Sequence, residues 1–166
     1  MTEATVVQAG GRAVIRFERH LPASIDVVWR AVTDPVEMRA WFPTRIEIDE
    51  WKVGADLTHH FDAHEIEPLP GTVLAWDPPH RVAFTWGTDT ITIELAARVD
   101  GGTTLVLAEE LSGHFAARNA AGWDACLDRL EHGVEGEPWK VRFDRYVAEF
   151  EPVLGRQDGP PEGHAD

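Results

Sequence analysis

The sequence predicts an α+β domain in which a curved antiparallel sheet of about six to seven strands wraps around a long C-terminal helix. Three observations carry this. From Arg45 to Leu111 the apolar residues recur with a period of two, in short runs separated by turn residues. After Ser112-Gly113 the period becomes 3.6 and holds for roughly five turns. Short strands that follow one another through tight turns pair antiparallel, and the apolar face they leave must be covered by the one element long enough to do it.

The elements follow in order. Ala13 to Leu21 is a strand with Ile15, Phe17 and Leu21 on one face, interrupted by Arg19, and Pro22 ends it. Ser24 is placed to cap a short helix Ile25–Thr33, and Asp34-Pro35 opens a second one, Pro35 to Trp41, stopped by Pro43. Strands are then expected at Ile46/Ile48, at Leu57/His59/Phe61, at Gly71–Trp76, at Val82/Phe84/Trp86, at Ile91/Ile93/Leu95, and from Leu105 to about Leu111. Asp77-Pro78-Pro79-His80 and Asp100-Gly101-Gly102 are turns. Ala116, Ala120, Trp123, Leu127, Leu130 and Val134 form the helical stripe, with Arg118, Asp124, Arg129 and Glu131 opposite. Gly133 and Gly136 break that helix, and an extra helix at 138–151 ends at Glu151-Pro152. The expected organisation is a flexible stretch at 1–12, one domain at 13–154, and a disordered tail at 155–166 rich in Gly, Pro and Asp.

Composition narrows the function classes. A net charge of −14 with scattered Lys and Arg gives no basic face for nucleic acid, and disfavours anionic membranes. A single cysteine, Cys126, permits no internal disulfide, and the opening MTEATVVQAGG lacks the basic and apolar regions of a signal peptide, so a cytoplasmic setting is expected. No apolar run approaches the ~20 residues of a membrane helix. Seven tryptophans and seven phenylalanines are many for this length. Such rings either line a cavity or fill a core, and pattern alone does not separate the two.

Four segments carry a family resemblance: Val28-Trp29-Arg30-Ala31-Val32-Thr33-Asp34-Pro35 followed by Trp41-Phe42; Pro78-Pro79-His80-Arg81-Val82-Ala83-Phe84-Thr85-Trp86; Gly101-Gly102-Thr103-Thr104-Leu105-Val106-Leu107; and Gly122-Trp123-Asp124-Ala125-Cys126-Leu127-Asp128-Arg129-Leu130. In order and spacing they resemble the SRPBCC superfamily of START-like and birch-pollen-allergen-like folds. They are most similar to its bacterial branch, like the C-terminal domain of the activator of the Hsp90 ATPase. The resemblance covers roughly Ala13 to Val134 and implies the helix-grip (START-like) fold, with an apolar cavity between sheet and long helix. It implies binding of a small hydrophobic or amphipathic molecule, or a chaperone ATPase-activator-like module with a protein partner, or a cyclase or hydrolase acting on a hydrophobic substrate. The extra C-terminal helix lies beyond it.

The candidate ligand-binding residues are Trp41, His59, Phe61, Trp76, Phe84, Trp86, Glu109, Phe115, Trp123 and Leu127. Phe61, Phe84 and Trp86 are expected to face Trp123. His59 is read as a polar group within the sheet's inner face, able to orient a ligand. Glu109 continues the parity of Leu105 and Leu107 and so projects inward, where a carboxyl would titrate high; His59 or Glu109 is the proton-transfer group under the enzyme reading. His59 and His60 point to opposite faces, so His59, His60 and His64 do not converge on a metal. Cys126 reads as a small hydrophobe, and neither Gly10-Gly11 nor Gly101-Gly102 fits a phosphate loop. No catalytic residue, metal or cofactor is assigned, and a strand edge left open is compatible with a monomer or a homodimer.

Overall fold

The computed structural model describes residues 4–160. Eight strands, β1 (Thr5–Ala9), β2 (Arg12–Leu21), β3 (Arg45–Ile48), β4 (Asp56–His60), β5 (Leu69–Asp77), β6 (Arg81–Trp86), β7 (Asp89–Ala97) and β8 (Thr103–Ser112), form one sheet in the order β1-β2-β8-β7-β6-β5-β4-β3. All neighbours are antiparallel. Helices α1 (Ile25–Thr33) and α2 (Pro35–Met38) connect β2 to β3, and α3 (Ala116–His132) and α4 (Trp139–Leu154) follow β8. This is the helix-grip arrangement. Among the described residues no helix is long and apolar enough to cross a membrane.

The sheet is bent where β5 slips register against β6 between Val73 and Ala75. Gly71 is needed beside this bend, because a Cβ there would sit 2.4 Å from the Thr85 carbonyl oxygen. On β2 the predicted alternation holds, with Ala13, Ile15, Phe17, Arg19 and Leu21 all buried. Asp34 accepts a hydrogen bond from the Val36 amide at 2.9 Å and starts α2 as expected, while Ser24 precedes α1 without a side-chain cap.

Several details differ from the sequence reading. Thr5–Ala9, assigned to a flexible start, is strand β1, held in register by β2. The tail is anchored through Gln157, which is buried; its Oε1 accepts from the Ala117 amide (2.9 Å) and its Nε2 donates to the Gly113 carbonyl (2.8 Å). That side chain supplies a cap that α3 lacks locally. The remainder of the expected tail, 161–166, lies outside the described residues. α4 runs through Pro152 to Leu154, since a proline in the last turn forgoes only one bond, and Gly155 (φ 81°) then ends the helix.

The largest departure concerns Asp124, placed opposite the apolar stripe as a helix-surface or loop-anchoring residue and found buried. Its Oδ1 accepts from Arg19 Nη2 at 2.7 Å, and its Oδ2 from Arg142 Nη1 at 2.7 Å and Arg145 Nη2 at 3.3 Å. Arg19 also donates to Asp128 (2.8 Å) and Glu131 (3.0 Å), and Arg142 to Asp128 (2.8 Å). Strand β2 and helices α3 and α4 thereby share one charged cluster, and α4 completes its seat with Tyr146 edge-on to Phe17 at 6.4 Å. Replacing Asp124 by Ala strips two buried guanidinium groups of their central partner, and removing one member of such a cluster costs about 3–5 kcal/mol. Urea unfolding of Asp124→Ala is expected to show that loss, whereas Lys140→Ala on the exposed Lys140–Asp144 pair changes stability by under about 0.5 kcal/mol.

Candidate functional site

Between the sheet and α3 the rings are packed against one another. Phe42, arriving just after α2, lies 5.9 Å from Phe84, 5.7 Å from Trp86 and 5.5 Å from Trp123 between ring centroids, and Trp86 meets Trp123 edge-on at 6.1 Å. The expected enclosed cavity between Phe84, Trp86 and Trp123 is therefore occupied by Phe42. Open volume lies beside the rings instead, in a cleft of about 310 Å³ lined by Pro43, Trp86, Asp89, Glu109, Arg118, Asn119, Gly122 and Trp123. Half its character is polar by residue type, unlike the apolar cavity expected.

Three of the sequence-predicted residues meet in this cleft: Trp86, Glu109 and Trp123. The others have different places. Trp41 is buried and donates its indole N–H to the Ala31 carbonyl at 2.9 Å, fixing α1. Phe61, just past β4, borders Trp86 at 6.1 Å. Trp76 stacks on Trp51 at 5.2 Å and touches Trp29 at 5.1 Å, forming an indole group that meets the other rings where Trp51 lies 6.0 Å from Phe84. Phe84 is buried beneath Phe42, and Leu127 is buried in the α3 stripe. Phe115 lies under the Arg118 guanidinium at 4.0 Å and so supports the cleft without lining it.

His59 is also committed elsewhere. Its Nε2 is 3.1 Å from the Thr85 carbonyl oxygen, which can only accept, so Nε2 carries the proton; Nδ1 then accepts from the Thr44 hydroxyl at 3.0 Å. Burial lowers its pKa and keeps the ring neutral. With both nitrogens engaged, His59 pins β4 to β6 and stacks on Trp86 at 4.8 Å. His60, on the outer face, pairs with Glu47 at 2.7 Å. Cys126 is buried beside Arg129, and burial pushes its thiol up to about 11, so it is unreactive at neutral pH.

Glu109 is the chemically distinctive group. The alternation of β8 turns it inward, between Ile15 of β2 and Ile91 of β7 in the sheet. One turn of α3 meets it: Asn119 Nδ2 donates to Oε1 at 2.6 Å and Trp123 Nε1 to Oε2 at 2.9 Å. Burial outweighs both donors and pushes its pKa up to about 7. Asp89, whose carboxylate is 3.7 Å from Arg12, is raised by burial as well, and Arg118 is lowered for the same reason. Of the lining residues that the sequence reading missed, Asn119 had a usable signal, lying four residues before Trp123 and so on the same helical face. Asp89, Arg118, Gly122 and Pro43 had none.

The raised Glu109 pKa has a stability consequence. From its usual 4.5 upward the unfolded chain releases this proton, while the folded chain holds it to about 7. Folding is thus progressively disfavoured between these two values, by about 3 kcal/mol in all, and pH-independent for this group above them. Glu109→Gln removes the effect; its amide oxygen can still accept from Trp123, and Asn119 can turn its own oxygen to the new amide. Urea unfolding near pH 5 and near pH 8 is expected to show a smaller drop for Glu109→Gln than for the wild type by about that amount.

The fold is shared with solved structures of low sequence identity. A conserved protein of unknown function, EF2215 from Enterococcus faecalis, superposes with a TM-score of 0.77 at 20% identity, covering 90% of this chain and 91% of that one. The protein encoded by BPP1335 of Bordetella parapertussis gives 0.68 at 24% identity, covering 95% and 92%. CalU16 from Micromonospora echinospora gives 0.67 at 19% identity, covering 93% and 96%. No curated protein matches the chain. Residues 22–135, from the end of β2 to just beyond α3, match the model of the activator of Hsp90 ATPase homolog 1-like proteins, and the chain belongs to that family.

Proposed function

We propose that the cleft beside Trp86 and Trp123 binds a small amphipathic molecule, its apolar part against the two indoles and its polar part toward Glu109, Asn119 and Arg118. The fold and family support ligand binding in general terms. The volume of about 310 Å³ is at the lower end of sites for small organic molecules, about 300–1,000 Å³.

The observation that carries the reading is Gly122. It lies inside α3, where glycine costs about 1 kcal/mol relative to alanine. Its φ is not positive, and beyond its two chain neighbours and its own helix backbone a Cβ built there meets no described atom within 4 Å. Neither backbone conformation nor close packing calls for glycine at this position. What its missing side chain does is keep the cleft wall open between Asn119 and Trp123.

A side chain at 122 should therefore fill the site without disturbing the fold. In Gly122→Leu the urea midpoint is expected to rise, reflecting up to about 1 kcal/mol of added stability. Native mass spectrometry of the purified wild type should show a bound small molecule that the variant lacks. A variant that keeps the same adduct at the same occupancy would overturn the assignment to this cleft.

A further inference from the structure

The polar end of the cleft is uneven in its hydrogen-bonding capacity. Both oxygens of Glu109 already accept from Asn119 and Trp123. Asp89 faces Arg12 at 3.7 Å. Arg118 differs: its guanidinium carbon lies over the Phe115 ring, 4.0 Å from the centroid, and among the described residues its hydrogen bond runs from Nε to Asn119 Oδ1 at 3.4 Å. The ring covers one side of the group, and its terminal N–H donors have no hydrogen-bond partner among the described residues. The unused donors of the cleft are therefore those of Arg118, on a planar fork whose natural complement is a carboxylate.

We propose that the amphipathic ligand of this cleft is a carboxylate, docked on Arg118 and bound together with a proton on Glu109. This rests on the cleft being the ligand site. Asn119 couples the two positions, its oxygen toward Arg118 and its amide toward Glu109. An incoming carboxylate and an ionised Glu109 would share one poorly solvated cleft, and two like charges there do not both persist. The groups facing Glu109 set its proton affinity. Burial and the charge of Asp89 on β7 raise it, whereas Asn119, Trp123 and Arg118 on α3 lower it, and its sheet neighbours Ile15 and Ile91 are apolar. Around Arg118 stand Asp89, Glu109 and Asp158 of the tail, and Arg12 of β2 balances Asp89. Protonating Glu109 removes the one negative charge that lies deepest in the cleft.

Isothermal titration with three ligands of equal chain length separates the possibilities: octanoate, 1-octanol and octyltrimethylammonium, each near pH 6 and near pH 8 in buffers of different ionisation enthalpy. Octanoate is expected to bind at least about tenfold more tightly than octanol near pH 6. Above the Glu109 pKa its affinity falls by up to about tenfold per pH unit, with net proton uptake. Arg118→Gln should bring octanoate down to the level of octanol, and retained octanol binding shows that the variant's cleft is intact. Glu109→Gln should keep the preference for octanoate but lose the proton uptake. Octanoate binding no more tightly than octanol, the ammonium binding most tightly, or octanoate binding without proton uptake each overturns this proposal while leaving the cleft a ligand site. If none of the three binds, both readings fall.

Discussion

A charged side chain turned toward a covered sheet face has to be answered by whatever covers it, and two such residues fix how this molecule is put together. Arg19 of β2 and Glu109 of β8 sit on neighbouring strands and both point at α3. The helix answers each with a different part of its length. Asn119 and Trp123 in its first half hold Glu109, and Asp124, Asp128 and Glu131 in its second half hold Arg19. Apolar packing would allow α3 to slide or roll on the sheet at modest cost. Two polar clamps of opposite sign, set apart along the helix, allow only one register.

The two clamps have separate consequences. The Arg19 clamp engages both terminal nitrogens of the guanidinium and extends outward, because Arg142 and Arg145 bring α4 to the same aspartate. A helix beyond the family-matched region thereby becomes part of the same folded unit. The Glu109 clamp is neutral or anionic depending on its proton, and it opens on the cleft. One clamp secures the architecture, and the other leaves a group able to change state within the physiological range.

Much of this was legible in the sequence, for identifiable reasons. Period-two alternation placed Ile15, Phe17, Arg19 and Glu109 on the inner face, because a strand's side-chain direction is a local property. The Asp34-Pro35 start of α2 was equally local. Asp124 was not legible: its reading came from the apolar stripe of its own helix, while its partners come from β2 and α4, which no local pattern brings together. Phe42 was unreadable as the ring that fills the interior, since its position depends on how the turn after α2 enters the domain. The cleft followed the same rule. Trp86 and Glu109 were read from strand parity and Trp123 from the helical stripe, but Asp89 and Arg118 join them only through tertiary placement.

The indole group of Trp29, Trp51 and Trp76 has an optical consequence. Trp51 and Trp76 lie nearly parallel, 7° apart and 5.2 Å between centroids, with the Trp51 N–H fixed to the Thr33 carbonyl. Two indoles held this close couple their electronic transitions, and the edge-on pair Trp86–Trp123 at 6.1 Å is a second such pair, in the wall of the cleft. The molecule thus carries two built-in optical reporters of its tertiary structure, one beside β5 and one at the cleft.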